Sequence, residues 1–220
     1  MLKNKIEYLK EFALEDRVGL FRKVLSLRTR YITIVLEDIY QSQNASAVLR
    51  SSDCFGIQDI HVIENSNEYK VNPDVALGSS KWLSLNKYNS QENNTVSTIQ
   101  KLKNDGYRIV ATTPHTNDVT LDDFDISKGK VALLFGTELR GLSDLAIENA
   151  DEYLKIPMYG FTESFNISVS AALIMRELTN KLRKSSLSWE LTEQEKDELL
   201  FEWLLKSIKS SGKIMEKFPG

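Results

Sequence analysis

Apolar residues recur along this chain with two different periods. Near the start, Leu2, Ile6, Leu9 and Phe12 fall at helical spacing, and residues 1–28 read as two short helices. From about Tyr31 to Leu182 the pattern becomes short β-branched runs (YITIVL, DIHVI, YRIVAT, KVALLF, EYLKIP) separated by helical stretches or loops. That alternation predicts an α/β domain with a mainly parallel sheet. A Ser-rich break at Lys184, Ser185 and Ser186 opens a last helical zone. There Thr192 is an N-cap with Glu195 three residues on, the pattern of a capping box. Leu199, Leu200, Trp203, Leu204 and Ile208 follow as one apolar stripe, expected to pack on the body of the protein. The chain thus divides into a helical arm (1–28), an α/β domain (29–182) and a C-terminal helical extension (183–220).

Composition narrows the class. The 220 residues are 41% hydrophobic and 27% charged, which suits a globular protein. No apolar run reaches the roughly 18 residues of a membrane span. The opening MLKNKIEYLKEF is amphipathic and charged, without the apolar core of a signal peptide. A single cysteine, Cys54, excludes an internal disulfide and any multi-cysteine metal site, and two histidines, His61 and His115, leave little for zinc. These features predict a cytoplasmic, metal-free protein. The net charge of −3 does not suggest a nucleic-acid binder, but its distribution does. Residues 1–30 hold eight basic against four acidic side chains, whereas residues 31–175 hold eleven against nineteen. Arg22, Lys23, Arg28 and Arg30 therefore make the arm basic, as phosphate binding requires; a solvated helical face accounts for the same charges.

Three segments carry candidate chemistry. In the first, residues 43–50 (QNASAVLR), a helix follows directly on the first strand, with Asn44 as its expected N-cap. Asn44 and Arg50 lie six residues apart and can point toward one region at the strand's carboxyl end, where ligands collect in open α/β sheets. In the second, residues 131–141 (VALLFGTELRG), an apolar strand runs into Phe-Gly-x-Glu-x-x-Gly, and glycine at a strand end allows close backbone approach. This loop lacks the Lys-Ser/Thr of a phosphate-binding P-loop and the Gly-x-Gly-x-x-Gly of a dinucleotide fold. In the third, residues 156–172 (IPMYGFTESFNISVSAA), a strand end leads to a helix starting at Ser164 or Asn166 and rich in small residues. Taken singly, Arg50 also reads as a structural ion-pair residue and Ser164 as a plain helix cap.

Together, and in this order, the segments resemble the three signature motifs of the SpoU/TrmH family of SPOUT methyltransferases. Those motifs are Asn-x-x-Ala-x-x-Arg, Phe-Gly-x-Glu-x-x-Gly and Ile-Pro-Met…Ser-x-Asn-x-Ser, and all three are complete here. The Gly-Ser-Ser-Lys-Trp run at 78–82, the basic N-terminal helices and the C-terminal helix are similar to the branch acting on the D-loop guanosine at tRNA position 18. The resemblance implies a parallel sheet with helices on both faces and a C-terminal deep trefoil knot. It implies S-adenosylmethionine as cofactor, held by Thr112, Gly136, Ile156 and Phe165, and a homodimer formed through the knot region, in which one subunit completes its partner's site. Catalysis would fall to Arg50, oriented by Asn44 and Glu138, with Ser164 and Asn166 positioning ribose and loop. A guanidinium does not deprotonate, so Arg50 is better read as a phosphate ligand and alkoxide stabiliser than as a general base. Arg22, Lys23, Arg28, Arg30, Lys81 and Arg140 are the expected RNA contacts. Gln43, Glu163 and Phe165 depart from residues common in the family, which have His, a neutral residue and Leu there. Ribosomal RNA as substrate and a non-catalytic RNA-binding role are the alternatives.

Overall fold

All five β-branched runs become strands, and two further strands complete the sheet. A computed structural model describes residues 1–114, 119–137 and 139–219. In chain order the elements are α1 (Leu2–Lys10), α2 (Glu15–Leu25), β1 (Ile32–Glu37), α3 (Ser42–Phe55), β2 (Asp59–Ile63), α4 (Pro73–Ala76), β3 (Ser84–Tyr88) and α5 (Thr95–Asn104). They continue as β4 (Arg108–Thr112), β5 (Val119–Thr120), β6 (Val131–Phe135), α6 (Asp144–Glu148), β7 (Glu152–Lys155), α7 (Ile167–Lys184), α8 (Glu193–Ser207) and α9 (Ser211–Met215). The strand order is β3-β2-β1-β6-β4-β7-β5, with parallel pairing between each pair of neighbours.

Residues 30–189 form one compact unit around this sheet. Strand alternation sends side chains to two cores. Ile32, Ile34 and Leu36 of β1 join Leu133 of β6 against Val48 and Leu49 of α3 and Ile174 and Leu178 of α7. Val35, Ala132 and Leu134 face the other way, onto Ile99 and Leu102 of α5 and Ala146 of α6. Helices therefore cover both faces, and the central strands are mainly apolar because neither face meets water. The two strands that the β-branched pattern leaves out lie at the sheet edges. β3 reads SLNKY and β5 is only two residues long, so neither has an apolar run to reveal it.

Residues 1–29 and 190–220 form the second compact unit. Within it the apolar stripe of α8 packs against α1 and α2, so the two ends of the chain share one small core. Phe21 stands edge-on to Trp203 at 5.6 Å, and the Arg28 guanidinium lies 5.5 Å from the same indole. The capping box forms as expected, Thr192 bonding the Glu195 backbone while Glu195 reaches back to Thr192.

One buried group ties stability to pH. His61 of β2 bonds Tyr88 of β3 through Nδ1 at 2.8 Å, and burial, aided by the Lys101 charge, lowers its pKa to about 4. An unfolded chain takes up the proton near the ordinary value of about 6.5, before the folded one does, so stability falls as pH drops through that window. Between pH 7 and 5 the loss from this residue is expected to be about 2 kcal/mol. Denaturant midpoints at the two pH values check it: His61→Gln should show a clearly shallower loss than the unaltered chain, and equal losses would exonerate His61.

Candidate functional site

The first motif is built at the start of α3. The helix begins at Ser42 with Gln41 in the cap position, three residues earlier than a capping Asn44 requires. Asn44 is therefore a first-turn residue rather than the N-cap. The Gln41 carbonyl already receives the Asn44 and Ala45 N–H groups, at 3.0 and 3.3 Å, so the turn closes without a side-chain cap. The Asn44 amide is thereby released sideways. Its Nδ2 donates to Gln41 Oε1 at 3.0 Å, and its Oδ1 accepts from Asn166 Nδ2 at 3.2 Å.

Asn166 is the residue that caps α7. Its Oδ1 accepts from the Ser168 backbone N–H at 2.9 Å and from the Ser168 hydroxyl at 2.6 Å. With its oxygen committed to the cap, its amide N–H is aimed at Asn44. Two helix starts 122 residues apart are thus joined by one side-chain bridge.

The second motif leaves the sheet at the end of β6. Thr137 and Gly141 exchange two backbone hydrogen bonds at 2.9 Å, closing a tight loop in which Gly141 has φ +69°. Gly136 sits against that closure: a Cβ placed there would lie 2.1 Å from the carbonyl carbon and oxygen of Gly141. Ser143 then caps the short helix α6, accepting from the Ala146 N–H at 3.1 Å.

A cavity of about 420 Å³ opens at the carboxyl ends of β4, β6 and β7, within the size range of small-molecule sites. Thr112, Gly136, Ile156 and Phe165, the four expected cofactor positions, all line it. So do Ser164 from the third motif, and Arg140 and Glu163, the basic and acidic residues among its described lining. Thr112 donates its hydroxyl to the Leu134 carbonyl at 2.7 Å, which anchors β4 to β6 beside the opening. Beside Met158 of the Ile-Pro-Met motif, Leu139 and Leu142 supply apolar wall that motif reading does not single out. Leu139 is exposed at the rim and Leu142 half-buried, and only the folded loop places them at the cavity.

The remaining expected residues are more dispersed. Arg50 is exposed on α3 and is absent from the cavity's described lining, and among the described residues no hydrogen bond or ion pair engages it. Glu138 lies outside the described residues, as does His115. Arg22, Lys23, Lys81 and Arg140 are exposed. Arg28 is 1% exposed, packed against Trp203, so the structure withdraws it from the expected phosphate contacts. Arg30 is largely covered and pairs with Asp59 at 3.0 Å, which engages its charge inside the sheet unit. Among the described residues no cluster of His, Cys, Asp or Glu could hold a metal ion, and no helix is long and apolar enough to cross a membrane.

An open parallel sheet with one mixed polar and apolar cavity at its carboxyl edge, flanked by a bridged pair of helix starts, defines an α/β protein built to bind a small molecule there. Residues 31–176 match the SpoU rRNA Methylase family, and the chain belongs to that family. Among curated relatives, the tRNA (guanosine(18)-2'-O)-methyltransferase of Borreliella burgdorferi is 47% identical over 94% of this chain and 92% of its own. The enzyme of the same name from Aquifex aeolicus is 30% identical over 92% of this chain and 94% of its own. Among solved structures, the A. aeolicus TrmH/SpoU tRNA modifying enzyme superposes with a TM-score of 0.78 at 29% identity, covering 89% of this chain and 98% of that one.

Proposed function

We propose that this protein transfers a methyl group from S-adenosylmethionine to the ribose 2'-hydroxyl of tRNA, at guanosine 18. The observation that carries the reading is the convergence of Thr112, Gly136, Ile156 and Phe165 on one cavity in a chain of this family. The choice of tRNA and of position 18 is supported by relatives that match it over nearly their whole length.

The residues present fit the cofactor. Leu139, Leu142, Ile156 and Met158 offer apolar wall to a purine, while the Thr112, Thr137 and Ser164 hydroxyls and the Glu163 carboxylate suit its polar and cationic parts. When bound, the cofactor supplies an electrophilic methyl carried on a sulfonium. The chain must then align a ribose hydroxyl with it and exclude water. A guanidinium is no proton acceptor; the planar fork of Arg50 suits the neighbouring phosphate and an oxygen gaining negative charge. The proton leaves through phosphate or water. The Asn44–Asn166 bridge holds the arginine-bearing helix in register with the ribose-side loop.

The reading includes a homodimer formed through a knotted C-terminal region. It is supported by Val169 and Leu173, exposed on successive turns of α7, and by the position of Arg50 away from its own cavity wall. In a dimer, Arg50 of one chain serves the cavity of the other. Arg140 at the cavity, Lys81 and the exposed Arg22 and Lys23 are the proposed phosphate contacts.

Labelled methyl transfer to unmodified tRNA transcripts and to ribosomal RNA, with the product nucleotide mapped, tests the proposal. The expected product is 2'-O-methylguanosine at position 18 of tRNA. Methylation of ribosomal RNA alone would overturn the substrate. Cofactor binding with transfer to neither would leave an RNA-binding protein in place of an enzyme.

A further inference from the structure

Strand β1 ends on a buried acid. Glu37 is 3% exposed, the one charged residue in ITIVLE, and its two oxygens accept three hydrogen bonds. Oε1 accepts from the Thr95 hydroxyl at 2.6 Å and from the Ser143 hydroxyl at 2.7 Å, while Oε2 accepts from the Ser143 backbone N–H at 2.9 Å. Thr95 opens α5 and receives the Asn65 amide at 3.0 Å. Ser143 stands directly after Gly141 and Leu142, which line the cavity.

The loop needs such a hold. It carries glycines at both ends, it is closed across its base by two backbone bonds, and the helix that follows is only five residues long. Glycine freedom and a one-turn helix cannot by themselves fix where Leu142 points. Two bonds from one carboxylate to one residue set both the place and the rotation of the loop's exit. A buried acceptor is costly to leave unsatisfied, so the arrangement resists drift.

The geometry points to Glu37 as a positioning residue for the cofactor: acting through Ser143, it sets the Gly141–Leu142 wall of the cavity. The assignment rests on the S-adenosylmethionine reading above. Glu37 itself lies behind the wall, outside the cavity's described lining. Its Thr95 contact is to α5 and not to the loop, which separates the two roles it could have.

Cofactor affinity of the full chain, measured by calorimetry beside thermal stability and steady-state kinetics, is the test. Failure of the unaltered chain to bind S-adenosylmethionine would overturn the cofactor reading and this assignment with it. Given binding, Glu37→Gln keeps the shape but replaces an acceptor with an N–H2 group, and is expected to raise the cofactor Kd about tenfold. KM for the cofactor should rise in step, with kcat held within about twofold. Ser143→Ala should match it, and the double variant should be no worse than the more impaired single one, as for two groups acting as a unit. Ser143 is exposed, so this variant still decides the matter should Glu37→Gln fail to fold. Thr95→Val should lower Tm with the cofactor Kd changed by less than about twofold. Unchanged Kd in Ser143→Ala, or an equal loss in Thr95→Val, would reduce Glu37 to a general fold residue and overturn the assignment.

Discussion

Arg50→Ala is expected to slow methyl transfer by about a thousandfold while leaving cofactor affinity unchanged. Arg50 is exposed on α3, and no described residue pairs with it, so its removal should not disturb the fold. Surface substitutions away from special contacts usually change stability by under about 0.5 kcal/mol. The full effect should therefore appear in the chemical step and in RNA engagement. Arg50→Lys keeps the charge but not the two-pronged donor, and should remain about tenfold or more below the unaltered rate. Single-turnover rates at saturating cofactor measure both. A rate within tenfold of normal in Arg50→Ala would remove this residue from the reaction, and full activity in Arg50→Lys would reduce its role to a point charge.

Gly136→Ala is expected to abolish cofactor binding, weakening it by about a hundredfold or more. The added methyl would lie 2.1 Å from Gly141 carbon and oxygen and 2.2 Å from the Leu142 nitrogen. All three are backbone atoms within or next to a loop closed by the Thr137–Gly141 pair, so no flexible side chain can yield. Relief requires breaking that pair and moving Leu142 out of the cavity wall. The sheet should survive, because β6 itself is unaltered, at a stability loss of about 1–3 kcal/mol. Calorimetric titration of a variant with a native circular dichroism spectrum is the check; ordinary affinity there would mean that the loop does not shape the cofactor site. The two variants also test each other. If Arg50 serves the partner's cavity, mixed dimers of Arg50→Ala and Gly136→Ala chains hold one intact site and regain activity. If Arg50 serves its own cavity, the mixture stays dead.

Much of the site is legible before folding because its parts are local. The Phe-Gly exit of β6 and the Ile-Pro exit of β7 each announce a strand reaching its end, and strand ends in a parallel sheet share one edge. Thr112, Gly136, Ile156 and Phe165 meet at one cavity for that reason. The capping box at Thr192 is legible for a similar one, since both partners lie within a single turn. Asn44 shows the limit of such reading. A good capping residue is only a local preference, and the turn closed at Gln41 instead, leaving the Asn44 side chain to bridge to Asn166. Arg28 shows another: a basic residue among basic residues reads as surface, yet an indole from the far end of the chain covers it.

By itself the sequence determined which segments are the core strands, where those strands end, and which side chains crowd the strand ends. Burial on both faces demands unbroken apolar runs, and a run is visible in a string of letters. The tertiary structure alone decided that β6 lies between β1 and β4, bringing Glu37 to Ser143 across 106 residues. It decided as well that α8 packs with α1 and α2, and that the polar edge strands β3 and β5 join the sheet. Those outcomes follow from which apolar faces can cover one another in three dimensions, and no spacing along the chain encodes that.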